Sequence, residues 1–274
     1  PTIGSGVWTI VSGPGGCVTG NCPELTLTDI NSPTSGVSLN APFTYGSYIL
    51  EWRVTSGICP PAFNNATVTF YQVATAAASD INGICLNPTA TAIPLTGTIG
   101  GGATGGTWVN VDGNGSIGSV VVARNTVTAV YNANAADYTA GLPIRVKLQA
   151  TPSGASTCPV AEDEIVINVD RTPVADAGTP VVNVCESFYQ LNAQDPPPFG
   201  ATGLWTSASA VTFDDPTDPR TIVRNLPAPG SPAVTIRWTL TSAGGNSCTS
   251  FHEVVITRIV APPATDISPI ICEV

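Results

Sequence analysis

The residues whose types could do chemistry in this chain are eight cysteines, one histidine and a few clustered acids. No two cysteines form a C-x-x-C pair, and one histidine cannot complete the ligand sets that zinc takes. The sulfurs therefore point to disulfides and an oxidising, extracellular setting. His252 alternates with Phe251 and Val254, which places it on the exposed face of a strand. With no second histidine and no serine in a Gly-x-Ser-x-Gly elbow, Ser-His-Asp catalysis lacks its parts. Asp214, Asp215 and Asp218 are the acids best grouped for calcium, which takes six to eight oxygen ligands. Asp-Pro steps are equally ordinary turn chemistry. Asp112-Gly113-Asn114-Gly115 opens like a calcium loop but lacks the downstream glutamate. Glu162, Asp163 and Glu164 could supply paired carboxylates for a glycosidase, yet they are consecutive at the start of a strand, where solvation accounts for them. The expectation is a protein that is not an enzyme and that has no cofactor, calcium being the weak exception.

The elements that must position these residues recur. Gly6-Val7-Trp8, Gly106-Thr107-Trp108 and Gly203-Leu204-Trp205 share one pattern, with tryptophans 100 and 97 residues apart. Each is followed by an alternating strand: Tyr48 to Trp52, Ile144 to Leu148, Val234 to Trp238. A polar turn with one cysteine comes next (Cys59, Cys158, Cys248), then a closing alternating strand (Ala66 to Tyr71, Glu164 to Val169, Glu253 to Thr257). A linker then leads to a further cysteine: Cys85, Cys185 or Cys272. Period-two alternation buries one face of each strand, and several such strands separated by Gly, Pro, Asn and Asp make an antiparallel sandwich. The tryptophans read as core, each facing the apolar or aromatic residue of the late strand across the two sheets.

The fold class expected is all-β, as tandem immunoglobulin-like (PKD-like) antiparallel β-sandwich domains in an elongated array. The domains are set at 1–73 (lacking its first strands), 74–171 and 172–260, with 261–274 beginning a further repeat. The first unit has no upstream cysteine or leucine strand, so the chain reads as a window on a longer array, and its first unit should be the weakest.

Composition excludes several functions. Only 10% of residues are charged and the nine Lys and Arg are scattered, so no basic stripe exists for nucleic acid. A net charge of −10 disfavours an anionic membrane surface, and no apolar run is long enough to span a bilayer. Gly and Pro, 27 and 25 residues, make long helices improbable.

Cysteine pairing is partly readable. Cys17 and Cys22 flank Val18-Thr19-Gly20-Asn21 as a local clip. Within-unit pairs Cys85–Cys158 and Cys185–Cys248 are expected, leaving Cys59 and Cys272 to pair outside this window. If the two turns lie at opposite ends of a sandwich, Cys85 meets Cys248 across a junction instead.

The third unit, with Ala175-Asp176-Ala177-Gly178, Val184-Cys185, Gly203-Leu204-Trp205, Ile236-Arg237-Trp238 and Val254-Val255-Ile256-Thr257, resembles the PKD-like or immunoglobulin-like repeats of very large secreted Bacteroidetes proteins, including gliding-motility adhesins of the SprB kind. The resemblance covers nearly the whole chain. It implies type IX export, a bacterial cell-surface location, and an adhesive or stalk role whose partners are neighbouring repeats, surface glycans or other cells. The alternatives are carbohydrate-binding accessory repeats of a secreted enzyme, with Tyr131, Tyr138 and Phe199 as the loosely placed aromatics, or a self-assembling filament subunit.

Overall fold

The computed structural model describes residues 4–154, 158–195 and 197–261. Cys272 and the start of a fourth repeat lie outside the described residues. Alternating runs become strands, and the strands form three immunoglobulin-like β-sandwiches, each with its own core cluster.

The second sandwich is the most complete. Its strands are β6 to β13 once the first sandwich is numbered β1 (Ser5–Ser12), β2 (Leu25–Leu27), β3 (Val37–Leu39), β4 (Gly46–Ser56) and β5 (Cys59–Phe70). They are β6 (Ala74–Ala78), β7 (Ile81–Leu86), β8 (Ala90–Gly101), β9 (Ala103–Asn110), β10 (Ser116–Ala123), β11 (Thr126–Asn134), β12 (Ile144–Pro152) and β13 (Ala161–Arg171), with a short helix α1 (Ala135–Ala140). One sheet runs β10-β11-β8-β6 and the other β7-β13-β12-β9. The third sandwich has β14 (Val181–Val184), β15 (Phe188–Gln190), β16 (Thr202–Ser207), β17 (Thr212–Phe213), β18 (Ile222–Arg224), β19 (Val234–Thr241) and β20 (Thr249–Arg258), in sheets β14-β20-β19-β16 and β15-β18-β17. Among the described residues the first has β1-β4-β5 facing β2-β3.

In all three the Gly-x-Trp strand pairs antiparallel with the late strand, and the register sets Trp8 opposite Trp52, Trp108 opposite Leu148, and Trp205 opposite Trp238. These are cross-strand neighbours within one sheet, not partners across two sheets. The Gly-x-Trp strand and the late strand are hydrogen-bonded to each other, so their side chains share a face. The Trp8–Trp52 rings lie 5.1 Å apart and the Trp205–Trp238 rings 4.9 Å apart. The glycine of the motif has a steric cause. A Cβ on Gly6 would enter the Trp52 ring, and one on Gly203 the Trp238 ring.

Each repeating tryptophan also ties its sheet to the rest of the sandwich. Its indole N–H donates to a backbone carbonyl: Ser32 for Trp8 (2.9 Å), Val127 for Trp108 (3.2 Å), Asp218 for Trp205 (3.1 Å). Trp108 and Trp205 are thus buried with their one polar atom satisfied, and Trp8 is half-buried with the same bond. The helix α1 starts at a capping box. Asn134 Oδ1 accepts from the N–H groups of Ala136 and Asp137, and the Asp137 carboxylate accepts from the N–H of Asn134.

Candidate functional site

The chemistry-bearing side chains meet at the joint between the second and third sandwiches. Cys85, near the end of β7, is bonded to Cys248, just ahead of β20, with Cα atoms 5.6 Å apart. The second disulfide is Cys17–Cys22, which closes the Val18–Asn21 turn against the first core.

The within-unit pairs Cys85–Cys158 and Cys185–Cys248 do not form, for a topological reason. Strand β7 runs parallel to the closing strand β13, pairing Cys85 with Asp170 near its end, whereas Cys158 stands ahead of its start. The strand from Ala161 to Asp170, at about 3.3 Å per residue, holds the two cysteines roughly 30 Å apart. A disulfide needs Cα atoms within about 7 Å. Parallel pairing of β14 with β20 separates Cys185 from Cys248 in the same way. Among the described residues Cys59, Cys158 and Cys185 carry free thiols.

Around Cys85–Cys248 the joint is built from polar groups that find each other across the boundary. Asp170 accepts from Ser242 Oγ (3.0 Å) and from the N–H of Asn246 (3.4 Å). Ser242 Oγ in turn accepts from the Cys248 N–H (3.0 Å), and the Ser242 N–H donates to the Cys248 carbonyl (2.8 Å). Asn246 Nδ2 reaches back to the carbonyl of Ile84 (3.2 Å). On the other side Phe199 meets Tyr138 edge to face at 5.7 Å and carries the Arg171 guanidinium 4.4 Å above its ring. Tyr138 donates its hydroxyl to the carbonyl of Thr172 (2.9 Å). Gly141, left-handed at the end of α1, leaves room for Arg171. A cleft of about 260 Å³ opens between Arg171, Phe199, Asp170 and Gly244. Its acid is engaged by Ser242 and Asn246 and its cation by an aromatic ring, so it holds a fastening and not a nucleophile with a base.

The other singled-out residues are dispersed. Asp214 forms a bidentate pair with Arg224 (2.6 and 2.8 Å), which holds its carboxyl below the usual range. Asp215 Oδ1 accepts from the N–H and hydroxyl of Thr217, which lowers its pKa also, and Asp218 Oδ1 accepts from the N–H of Arg220. Each of these carboxylates is engaged by its own partner, and among the described residues they form no cluster of metal-ligating type. Asp112 is held by Arg145, whose side-chain hydrogen bond keeps the carboxyl low. Glu162 pairs with Lys147, Glu164 with Arg145, and Asp163 accepts from the N–H of Ala78. Among the described residues the one cluster of metal-ligating type is Cys17, Cys22 and Glu24, and the disulfide occupies both sulfurs. His252 is half-buried, not exposed: its Nδ1 accepts from the N–H of Ala177 (3.0 Å).

The aromatics proposed for glycan contact do not form a row. Tyr131 is fully buried, Tyr138 belongs to the joint, and Phe199 is committed to Tyr138 and Arg171. Asp137, which the sequence reading passed over, is buried and gathers the N–H groups of Asn114 (2.7 Å) and Asn134 (3.1 Å) and the Tyr131 hydroxyl (3.1 Å). The spacing Asn134-x-x-Asp137 was the signal for it.

No protein-family model and no curated protein matches the chain. Among solved structures it is similar to titin domains I67–I69 in an E-to-A variant, at 12% identity over 92% of this chain and 88% of that one (TM-score 0.42). It is also similar to the extracellular domains 3–5 of Drosophila OTK, at 15% identity over 93% and 85% (TM-score 0.37). Protocadherin gamma C5 EC1–3 aligns at 13% identity over 87% and 90% (TM-score 0.34).

Proposed function

We propose that the chain is a load-bearing segment of a long extracellular, cell-surface repeat protein, an adhesin or stalk in which sandwiches in series hold a distal surface away from the cell. The resemblance to Bacteroidetes surface repeats extends this to a bacterial cell surface reached by type IX export, with adjoining repeats as the immediate partners. A joint made of a disulfide, an aromatic contact and hydrogen bonds supports a mechanical reading. No helix among the described residues is long and apolar enough to cross a membrane.

The observation that carries this reading is the Cys85–Cys248 bond, which closes a separation of 163 residues. Tension applied at the two ends passes from Cys85 to Cys248 through sulfur. Most of the second sandwich and most of the third lie in the closed loop, where pulling cannot extend them. Single-molecule force extension tests it. The oxidised chain should release little length beyond the first sandwich, β6, β7 and β20. Reduction, or Cys85→Ser, should add roughly 540–590 Å of contour, at about 3.3–3.6 Å per residue over the separation. Equal extension in the oxidised and reduced chains would reject the load-bearing role of this bond.

A further inference from the structure

Among the described residues the first sandwich lacks a strand that the other two possess. In the second and third sandwiches the outer edge of the closing strand carries a parallel strand, β7 on β13 and β14 on β20. Among the described residues nothing pairs with the outer edge of β5. The register makes Asn64, Asp163 and His252 counterparts, being the residues opposite Trp52, Leu148 and Trp238. Val68 is then the counterpart of Ile167 and Ile256, and Ala66 of Ile165 and Val254. The later four are fully buried, whereas Ala66 and Val68 are half-covered. The segments ahead of β7 and β14 also touch the position of Asn64, through the N–H of Ala78 to Asp163 and the N–H of Ala177 to His252. At Asn64 itself there is a cavity of about 210 Å³ lined by Trp8, Trp52, Asn64 and Ala66. Trp8 and Trp52 are half-buried there, while Trp205 and Trp238 are buried.

A second observation comes from the neighbouring unit. Asp170, which pairs with Cys85, lies over Gly244, four residues ahead of Cys248. Tyr71, the residue just after β5, is the counterpart of Asp170 in the first sandwich. Its ring lies over Gly154, four residues ahead of Cys158. The first joint therefore repeats the second, with Cys158 in the place of Cys248 and, among the described residues, no cysteine in the place of Cys85.

We propose that the open edge of β5 seats a parallel β-strand with apolar residues toward Val68 and a cysteine opposite Tyr71, and that this cysteine bonds Cys158. The strand has the chemistry of Ile81–Leu86 and Val181–Cys185, and by analogy with both it belongs ahead of the Gly-x-Trp motif of its unit. This rests on the repeat-array reading. Forming the bond takes one proton and one electron from each thiol. A disulfide donor of the oxidising medium accepts them by thiol–disulfide exchange and leaves as two thiols.

The test is the chain with a copy of residues 173–202 placed ahead of Gly6, prepared in a redox buffer whose donor is oxidised glutathione. Disulfide mapping should recover the added cysteine bonded to Cys158. Acrylamide quenching of tryptophan emission should fall at least twofold, because Trp8 and Trp52 become covered. With Cys158→Ser in the extended chain, the added thiol should alkylate while the protection from quenching persists. Unchanged quenching in both forms, or an added cysteine bonded to Cys59, would overturn the proposal. So would cross-linking of Cys158 to Cys272 of a second copy in the unextended chain, which would assign the edge to another molecule's tail. Force extension reads Cys85–Cys248 alone, so failure there and failure here are separable.

Discussion

Trp205 donates its indole N–H to the carbonyl of Asp218 at 3.1 Å, and the turn around Asp218 thereby becomes part of the third core. The Asp214–Asp218 segment is held in place from within by this bond. Trp205→Phe deletes one of the two fused rings from a buried site and leaves a carbonyl without its donor, a cost of about 2–4 kcal/mol. Denaturant melts should show the third sandwich weakened by that amount. The equivalent change Trp8→Phe should cost less, since Trp8 is half-buried and water can replace its donor. Equal losses at the two sites would sink the account.

The motif glycines make the second prediction. Gly203→Ala drives a methyl into the Trp238 ring, and overpacking of this kind costs about 1–3 kcal/mol. Gly245→Ala is the control, because a Cβ there meets nothing. Combining Gly203→Ala with Trp238→Leu should cost less than the two single changes taken separately, as urea midpoints would show. Additive losses would mean that the ring and the glycine are not coupled.

The repeat was legible because Gly-x-Trp and the alternating strands each answer to a local rule, period two and the space a ring needs. The joint was not, because it depends on which strands run parallel. That choice puts Cys85 at the end of its sheet nearest Cys248 and carries it away from Cys158. Spacing along the chain contains neither fact, so it favours the within-unit pairing, and the topology gives the alternative across the junction. Asp137 was missed for another reason. Tyr131 and Tyr138 drew attention as surface aromatics, and the cap between them reads as polar loop unless Asn134 and Asp137 are taken together.

Asp137 supports the third prediction. Its carboxylate satisfies two backbone N–H groups and the Tyr131 hydroxyl inside the second sandwich. Asp137→Ala leaves those donors unpaired and removes one half of the capping box, for a loss of about 2–4 kcal/mol. Hydrogen exchange should quicken at Asn114 and Asn134, while amides of β19 and β20 keep their protection. Uniform loss across both sandwiches would show that the network acts through the joint and not locally.

Alkaline pH gives the last prediction. Burial pushes the Tyr131 hydroxyl up to about 12, with the Asp137 charge adding to the rise against a lowering contribution from the Gly115 N–H. Burial raises Tyr48 and Tyr138 as well. A raised phenol pKa means that the folded state keeps a proton the unfolded chain gives up near pH 10. The contribution of Tyr131 to stability is therefore complete below about pH 10 and is lost as the pH rises through about 12. Absorbance at the tyrosinate band, followed beside near-ultraviolet circular dichroism, should show Tyr131 ionising together with loss of the second sandwich. Tyr131→Phe should lower stability at neutral pH, because the Gly115 N–H and Asp137 lose a partner, yet flatten the fall across that alkaline window. An unchanged alkaline slope in the Phe variant would remove Tyr131 as its cause.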